Sequence, residues 1–351
     1  MINLDKYSES AKEIKKGASG KKFTFNTPNG VVFFKSNYNY PNSDTEIRQD
    51  IVESFVSHLL QKIGVENVLN YDLATYQDMK GCVSPCFTSP QTKEITYHQI
   101  AYINYLNSKR KSKVPYDYDE PIKSITGKRK KAVEKIVHKN SQKYRMFNRT
   151  QPNYMESFAT IDDIETTLKQ YCDTYNMTID IEKIKQNLFN MVIIDYFLCN
   201  TDRNWQNFNF LVSNQDAKRT LAPTPIFDNG YALGMGYYHN PIYANLTEAY
   251  KKVVSWISLS DITNSDIPRP LAVDIWENSQ QNKILKNNGF LTLDIYTLAK
   301  TNPQIGKLVD AFVNLDIEKE LKLFSKQEKI DIDGELSSNW ILFFKSRQDN
   351  Y

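Results

Sequence analysis

Cys199-Asn-Thr-Asp-Arg-Asn-Trp-Gln-Asn-Phe-Asn-Phe-Leu211, followed by Pro225-Ile-Phe-Asp-Asn-Gly230, is the most informative part of the chain. A helical stretch over 180–199 becomes apolar nearly all round at Met191–Leu198, so it belongs in a core. It runs abruptly into a cluster of Asp, Arg and Asn. Phe208, Phe210 and Val212 then share one face of a strand, and a further short strand ends at Phe227. Four residues separate Asp202 from Asn207, and Asp228 stands 21 positions beyond Asn207, ahead of Asn-Gly turn chemistry. Phosphoryl transfer needs such a set: a carboxylate to orient and deprotonate the acceptor hydroxyl, and oxygen ligands to hold Mg²⁺ against phosphates. Taken alone, Asp-x4-Asn is an ordinary polar loop with Asx turns. The buried helix before it, the strand after it and Asp228-Asn229-Gly230 beyond it favour chemistry.

Working outward, the first ninety residues read as a small sheet with one helix. Lys21–Asn26 alternates polar and apolar residues, Thr27-Pro28-Asn29-Gly30 is a turn, and Val31–Lys35 is a short apolar strand. Ile47, Ile51, Phe55, Leu59 and Ile63 keep helical spacing behind the candidate caps Asn42, Ser43 and Asp44, with Gly64 as a stop. Tyr71–Tyr76 and Gly81–Val83 suggest two more strands. After Pro90 the pattern turns helical. Ile161, Ile164, Leu168, Tyr171 and Tyr175 form one helical face, and further helices are expected around 246–257, 271–285 and 304–324. This predicts an α+β, bilobal protein kinase-like fold, with a β-rich lobe over 1–88 and a larger, mainly helical lobe over 89–351.

Composition bounds the alternatives. At roughly 150 residues per domain, 351 residues make about two units, each able to bury its own core. With 40% hydrophobic and 24% charged residues, the chain is not wholly disordered. Its apolar runs fall short of the roughly 18 residues a membrane helix needs. Four cysteines do not make a disulfide framework, and residues 1–16 lack the apolar core of a secretory signal. A reduced, cytoplasmic protein is expected, with export by a specialised secretion system as the alternative. The net charge of +3 hides a segment, about 108–150, with 14 Lys and Arg against 4 Asp and Glu. It is read either as a solvated insertion or as a surface that attracts nucleic acid or an acidic partner.

The run Asp195–Leu211 together with Pro225–Gly230 resembles the catalytic core of HipA-type serine/threonine kinases, and within them the single-chain CtkA-like members. Those proteins read Asp-Arg-His-x-x-Asn where this chain has Asp202-Arg203-Asn204-Trp205-Gln206-Asn207. Lys16–Phe23 and Val32-Phe-Phe-Lys35 match the family's glycine-rich loop and strand lysine in order and spacing. The resemblance implies a kinase that uses ATP and Mg²⁺ to phosphorylate a protein on Ser or Thr. Gly17, Ser19 and Gly20 would cover the phosphates, and Lys35, aligned by Glu53, would hold them. Asn207 and Asp228 would ligate Mg²⁺, and Asp202 would act as base. It also raises autophosphorylation at Ser19 and, in the toxin branch, a DNA-binding antitoxin partner.

The residues alone leave bland readings open at this point. Lys35 is a costly residue to turn inward unless it meets an anion, yet it also reads as a lysine reaching solvent at a strand end. Glu53 sits off the centre of its helix's apolar face and also reads as an exposed carboxylate. Two other functions compete: a catalytically idle nucleotide-binding docking protein that grips nucleic acid or an acidic partner through 108–150, and a phosphatidylinositol-type lipid kinase.

Overall fold

The computed structural model describes residues 1–14, 20–39, 46–108, 161–198, 200, 207–213, 219–233, 235, 299–300, 302–332 and 334–349. The basic segment beyond Ser108, the helices expected around 246–257 and 271–285, and the candidate caps Asn42, Ser43 and Asp44 lie outside them.

Six strands make the first sheet, in the order β1 (Ile2–Asn3), β7 (Asp72–Tyr76), β8 (Met79–Pro85), β4 (Gly30–Ser36), β3 (Lys22–Thr27), β2 (Lys12–Glu13). Strand β5 (Tyr38–Asn39) pairs with β6 (Glu46–Ile47), the next strand in sequence. The β3–β4 hairpin closes through Gly30, whose φ of +112° suits a residue without Cβ, and Thr27 Oγ1 donates to the Gly30 carbonyl at 2.8 Å. On the outer face Phe23, Phe25 and Phe34 pack with Tyr76, Val83 and Leu4 into a small core. Period-2 alternation therefore sends Lys35 and Cys82, register partners on β4 and β8, to the opposite face. That face receives helix α1 (Gln49–Lys62).

Helix α1 starts without a side-chain cap at Arg48. Its first turn is fastened by Asn37 Oδ1, which accepts from the Asp50 N–H at 3.0 Å, while Arg48 grips the Asp50 carboxylate through two bonds of 2.9 Å. Eleven of its fourteen residues are buried. Ile51, Val52, Phe55, Val56, Leu59 and Leu60 belong to one core shared with the C-terminal helices, while the outer face of the first sheet keeps its own small one.

A second, four-stranded sheet runs β10 (Met177–Ile179), β12 (Arg219–Pro223), β11 (Asn209–Ser213), β9 (Thr92–Thr96). Strand β9 corrects the expectation of helix directly after Pro90. The strand expected to end at Phe227 ends at Pro223 instead. Beyond it, Ile226 makes a parallel bridge to Val68, with Leu69 N–H donating to Ile226 O at 2.9 Å and Ile226 N–H to Asn67 O at 2.7 Å. This backbone joint ties the lobes together.

Helices α2 (Tyr97–Ser108), α3 (Ile161–Tyr175) and α4 (Ile181–Leu198) surround the second sheet. The single helix expected over 304–324 is two, α5 (Pro303–Val313) and α6 (Ile317–Glu328). Asp316 caps the second by accepting from Lys319 N–H at 3.0 Å. A further helix, α7 (Gly334–Asp349), sends the fully buried Trp340 and Phe344 into the core. The described residues form an α+β, bilobal layout.

Candidate active site

Lys35 leaves β4 on the face turned toward the second lobe. Its side chain is only 8% exposed, and Nζ lies 3.3 Å from Glu53 Oε1 and 2.9 Å from Asp228 Oδ1. The lysine therefore meets two carboxylates from opposite sides of the cleft, one on α1 and one 193 positions away in the chain. Glu53 is fully buried, which answers the question that its off-centre place on the helical wheel raised. Its second oxygen, Oε2, accepts the Asn229 backbone N–H at 2.8 Å.

Asp228 sits where the chain leaves the joint with Val68 and turns. Its φ is +59°, a left-handed conformation that Asp tolerates better than bulkier residues. The turn is held from the α4 side as well. Asn200, fully buried two residues after α4 ends, donates from Nδ2 to the Asp228 carbonyl at 3.0 Å and to Asn229 Oδ1 at 3.3 Å. Leu233 N–H donates to Leu198 O, the last carbonyl of α4, at 2.6 Å. A Cβ on Gly230 would stand 2.3–2.6 Å from the buried Gln49 side chain, so the turn approaches α1 as closely as glycine permits.

Asn207 is 8% exposed and lies two residues before β11. Because β11 and β12 are antiparallel with Phe210 opposite Pro223, Asn207 and Asp228 lie at the same end of that ladder. Gly20 has φ +67°, and a Cβ there would stand 2.2 Å from the Ser36 carbonyl. The close approach it permits is thus to the end of β4, next to Lys35. Gly17, Ser19 and Asp202 lie outside the described residues, as do Arg203 and Asn204.

Electrostatics follow from burial. Desolvation pushes the Glu53 carboxyl up to about 7, while Lys35 and the Asn229 N–H pull it down. Burial drives Lys35 downward, but Asp228 and Glu53 outweigh that and hold it well above its ordinary value, so it stays charged. The buried Cys82 thiol beneath it is pushed well up and is a packing group rather than a nucleophile.

Sequence reasoning missed Asn200, Asn229 and Gln49. Asn200 and Asn229 stand in Cys199–Leu211 and Pro225–Gly230, and their polarity at the end of a buried helix and in a turn is the available signal. Gln49 carries none, since a polar residue at a helix start is ordinarily exposed.

No protein-family model and no curated protein matches the chain. Among solved structures it is similar to the Helicobacter pylori proinflammatory kinase CtkA, at 15% identity and a TM-score of 0.49, over 99% of this chain and 94% of that one. It is similar to a Shewanella oneidensis HipA, solved as a toxin–antitoxin system with HipB and operator DNA, at 11% identity and a TM-score of 0.37. That match covers 97% of this chain and 64% of the other. A golgi casein kinase is similar at 11% identity and a TM-score of 0.39, over 97% of this chain and 71% of that chain.

Proposed function

We propose that the protein is an ATP- and Mg²⁺-dependent phosphotransferase acting on Ser or Thr hydroxyls of a protein, a HipA/CtkA-like kinase. The observation that carries this reading is the buried Lys35 ammonium shared between Glu53 and Asp228 across the cleft. A buried lysine aligned by a helix glutamate is how a phosphate-binding lysine is held ready. Asp228 is the more exposed of the two carboxylates, with 28% of its side chain open, so a cation can reach it.

The donor set suits the ligands implied. Asp228 and Asn207 offer hard oxygen ligands of the kind Mg²⁺ takes, and Lys35 offers a point charge for α- and β-phosphates. Gly17, Ser19 and Gly20 would cover the phosphates, and Asp202 would accept the proton from the acceptor hydroxyl. Asn207 and Asp228 would hold Mg²⁺, which when bound would supply charge neutralisation for the phosphates. Glu53 keeps Lys35 aimed into the cleft, and the Asn229 N–H keeps Glu53 in place.

Transfer of labelled γ-phosphate from ATP tests the reading directly. Asp202→Asn should retain ATP–Mg²⁺ binding while its turnover falls ~10²–10⁴-fold. Full activity in that variant, or no transfer by the native chain to itself, to protein or to peptide acceptors, would overturn the assignment.

A further inference from the structure

Resting on the phosphotransfer reading of this same site, we infer that Asn200 is a positioning residue that sets the Asp228 carboxylate for the metal ion. An aspartate's carboxylate can be no better placed than its backbone, and the Asp228 backbone is in the left-handed region at φ +59°. Something must hold it there. The Asp228 carbonyl can only accept, so the atom of Asn200 that faces it at 3.0 Å is the amide nitrogen, a donor. The same nitrogen reaches Asn229 Oδ1 at 3.3 Å, so one amide group touches adjacent residues of one turn.

The fixture is two-sided. Glu53 Oε2 takes the next backbone N–H, that of Asn229, at 2.8 Å from the α1 side, while Asn200 takes the preceding carbonyl from the α4 side. Asn200 is fully buried, so water does not compete for these bonds. A shorter serine or threonine lacks two donors on one atom, and leucine has the volume but no donor. Asn200 also lies two residues upstream of Asp202. The segment that carries the proposed base is therefore the one that holds the metal-binding aspartate.

The test uses the full chain with a non-hydrolysable ATP analogue and Mn²⁺, whose bound fraction is read by electron paramagnetic resonance. Asn200→Leu and Asn200→Ala should each weaken Mn²⁺ binding ~10-fold or more, the scale of lost outer-shell support. Analogue affinity without metal should change less than about twofold, and a purely structural role would lower thermal stability without moving the Mn²⁺ affinity. If neither variant folds, Asn229→Ala, which removes the 3.3 Å acceptor and leaves the Asp228 carbonyl in place, should give a smaller loss. Unchanged Mn²⁺ affinity in the folded variants overturns the role of Asn200, as does a native chain that binds no Mn²⁺ with the analogue. Native phosphate transfer, measured alongside, judges the functional reading separately: Mn²⁺ binding that depends on Asn200 without any transfer would sink that reading and support the positioning role.

Discussion

Glu53 accepts the Asn229 backbone N–H at 2.8 Å with one carboxylate oxygen and faces the Lys35 ammonium at 3.3 Å with the other. One fully buried side chain thereby joins the strand lysine to the turn that follows Asp228. Glu53→Ala leaves the Asn229 N–H without its acceptor and Lys35 with Asp228 alone among these two carboxylates. A stability loss of about 1–3 kcal/mol is expected in urea unfolding, from the unsatisfied buried donor. Nucleotide affinity should fall with it, and an unchanged affinity would show that Lys35 does not need the helix to aim it.

Because burial raises the Glu53 carboxyl to about 7, its effects on binding and on stability run in opposite directions with pH. Between the ordinary glutamate range and about 7 the folded chain holds a proton that the unfolded chain has released. Stability from this group is therefore greatest at the acid end of that window and falls as pH rises through it. Nucleotide binding should do the reverse, since protonating Glu53 below about 7 weakens its hold on Lys35. ATP affinity measured from pH 5.5 to 8.5 should decline on the acid side in the native chain, and Glu53→Gln should lack that decline (pH range chosen around the shifted group). Parallel curves for the two proteins would remove Glu53 as the titrating group.

Much of this was legible in the sequence because local rules and tertiary demands agree there. The β3–β4 hairpin follows from Thr27-Pro28-Asn29-Gly30, and Met191, Ile193, Ile194, Tyr196, Phe197 and Leu198 do lie in the core. Where they part, the sequence misleads. Periodicity over 304–324 continues across Asn314, and only the cap made by Asp316 divides it into two helices. Strand β9 contains Lys93 and Glu94 on its exposed positions and has the look of a loop until β11 pairs with it. The burial of Glu53 was not readable from its place on the wheel, because α1 is covered on several sides at once. Its partners, Lys35 and Asn229, come from distant segments that only the fold brings together.

Gly230 tests how tightly the turn is held against α1. A Cβ there would stand 2.3 Å from Gln49 Cγ and 2.4 Å from Gln49 Nε2, distances that force one of the two to move. Gln49 lies one helical turn before Glu53, is 2% exposed, and has little space to retreat. Gly230→Ala should cost about 1–3 kcal/mol through overpacking. It should also raise the ATP concentration needed for half-maximal transfer, since displacing the turn moves Asn229 from Glu53. Pairing it with Gln49→Ala, which vacates the space, should recover both. A double variant no better than Gly230→Ala would place the strain elsewhere.

Helix α1 is fixed from the far side by the C-terminal helices. The Phe55 ring stacks on Trp340 with centroids 5.9 Å apart and planes 10° from parallel, and Phe324 packs beside it at 5.3 Å. Below Phe55, His58 Nε2 meets the buried Glu320 of α6 at 3.2 Å. Phe55 is two residues from Glu53, so a cavity under α1 is felt at the lysine as well as in the core. Trp340→Ala should destabilise the chain by about 3–5 kcal/mol and weaken ATP binding, although Trp340 touches neither Lys35 nor Asp228 in any contact that holds them. Trp340→Phe should cost much less, because it keeps a ring against Phe55 and deletes a buried indole N–H that has no hydrogen-bond partner among the described residues. Urea midpoints and ATP affinity measured on both variants decide the point. If Trp340→Ala loses stability but binds ATP as the native chain does, α1 holds Glu53 in place without support from the C-terminal helices.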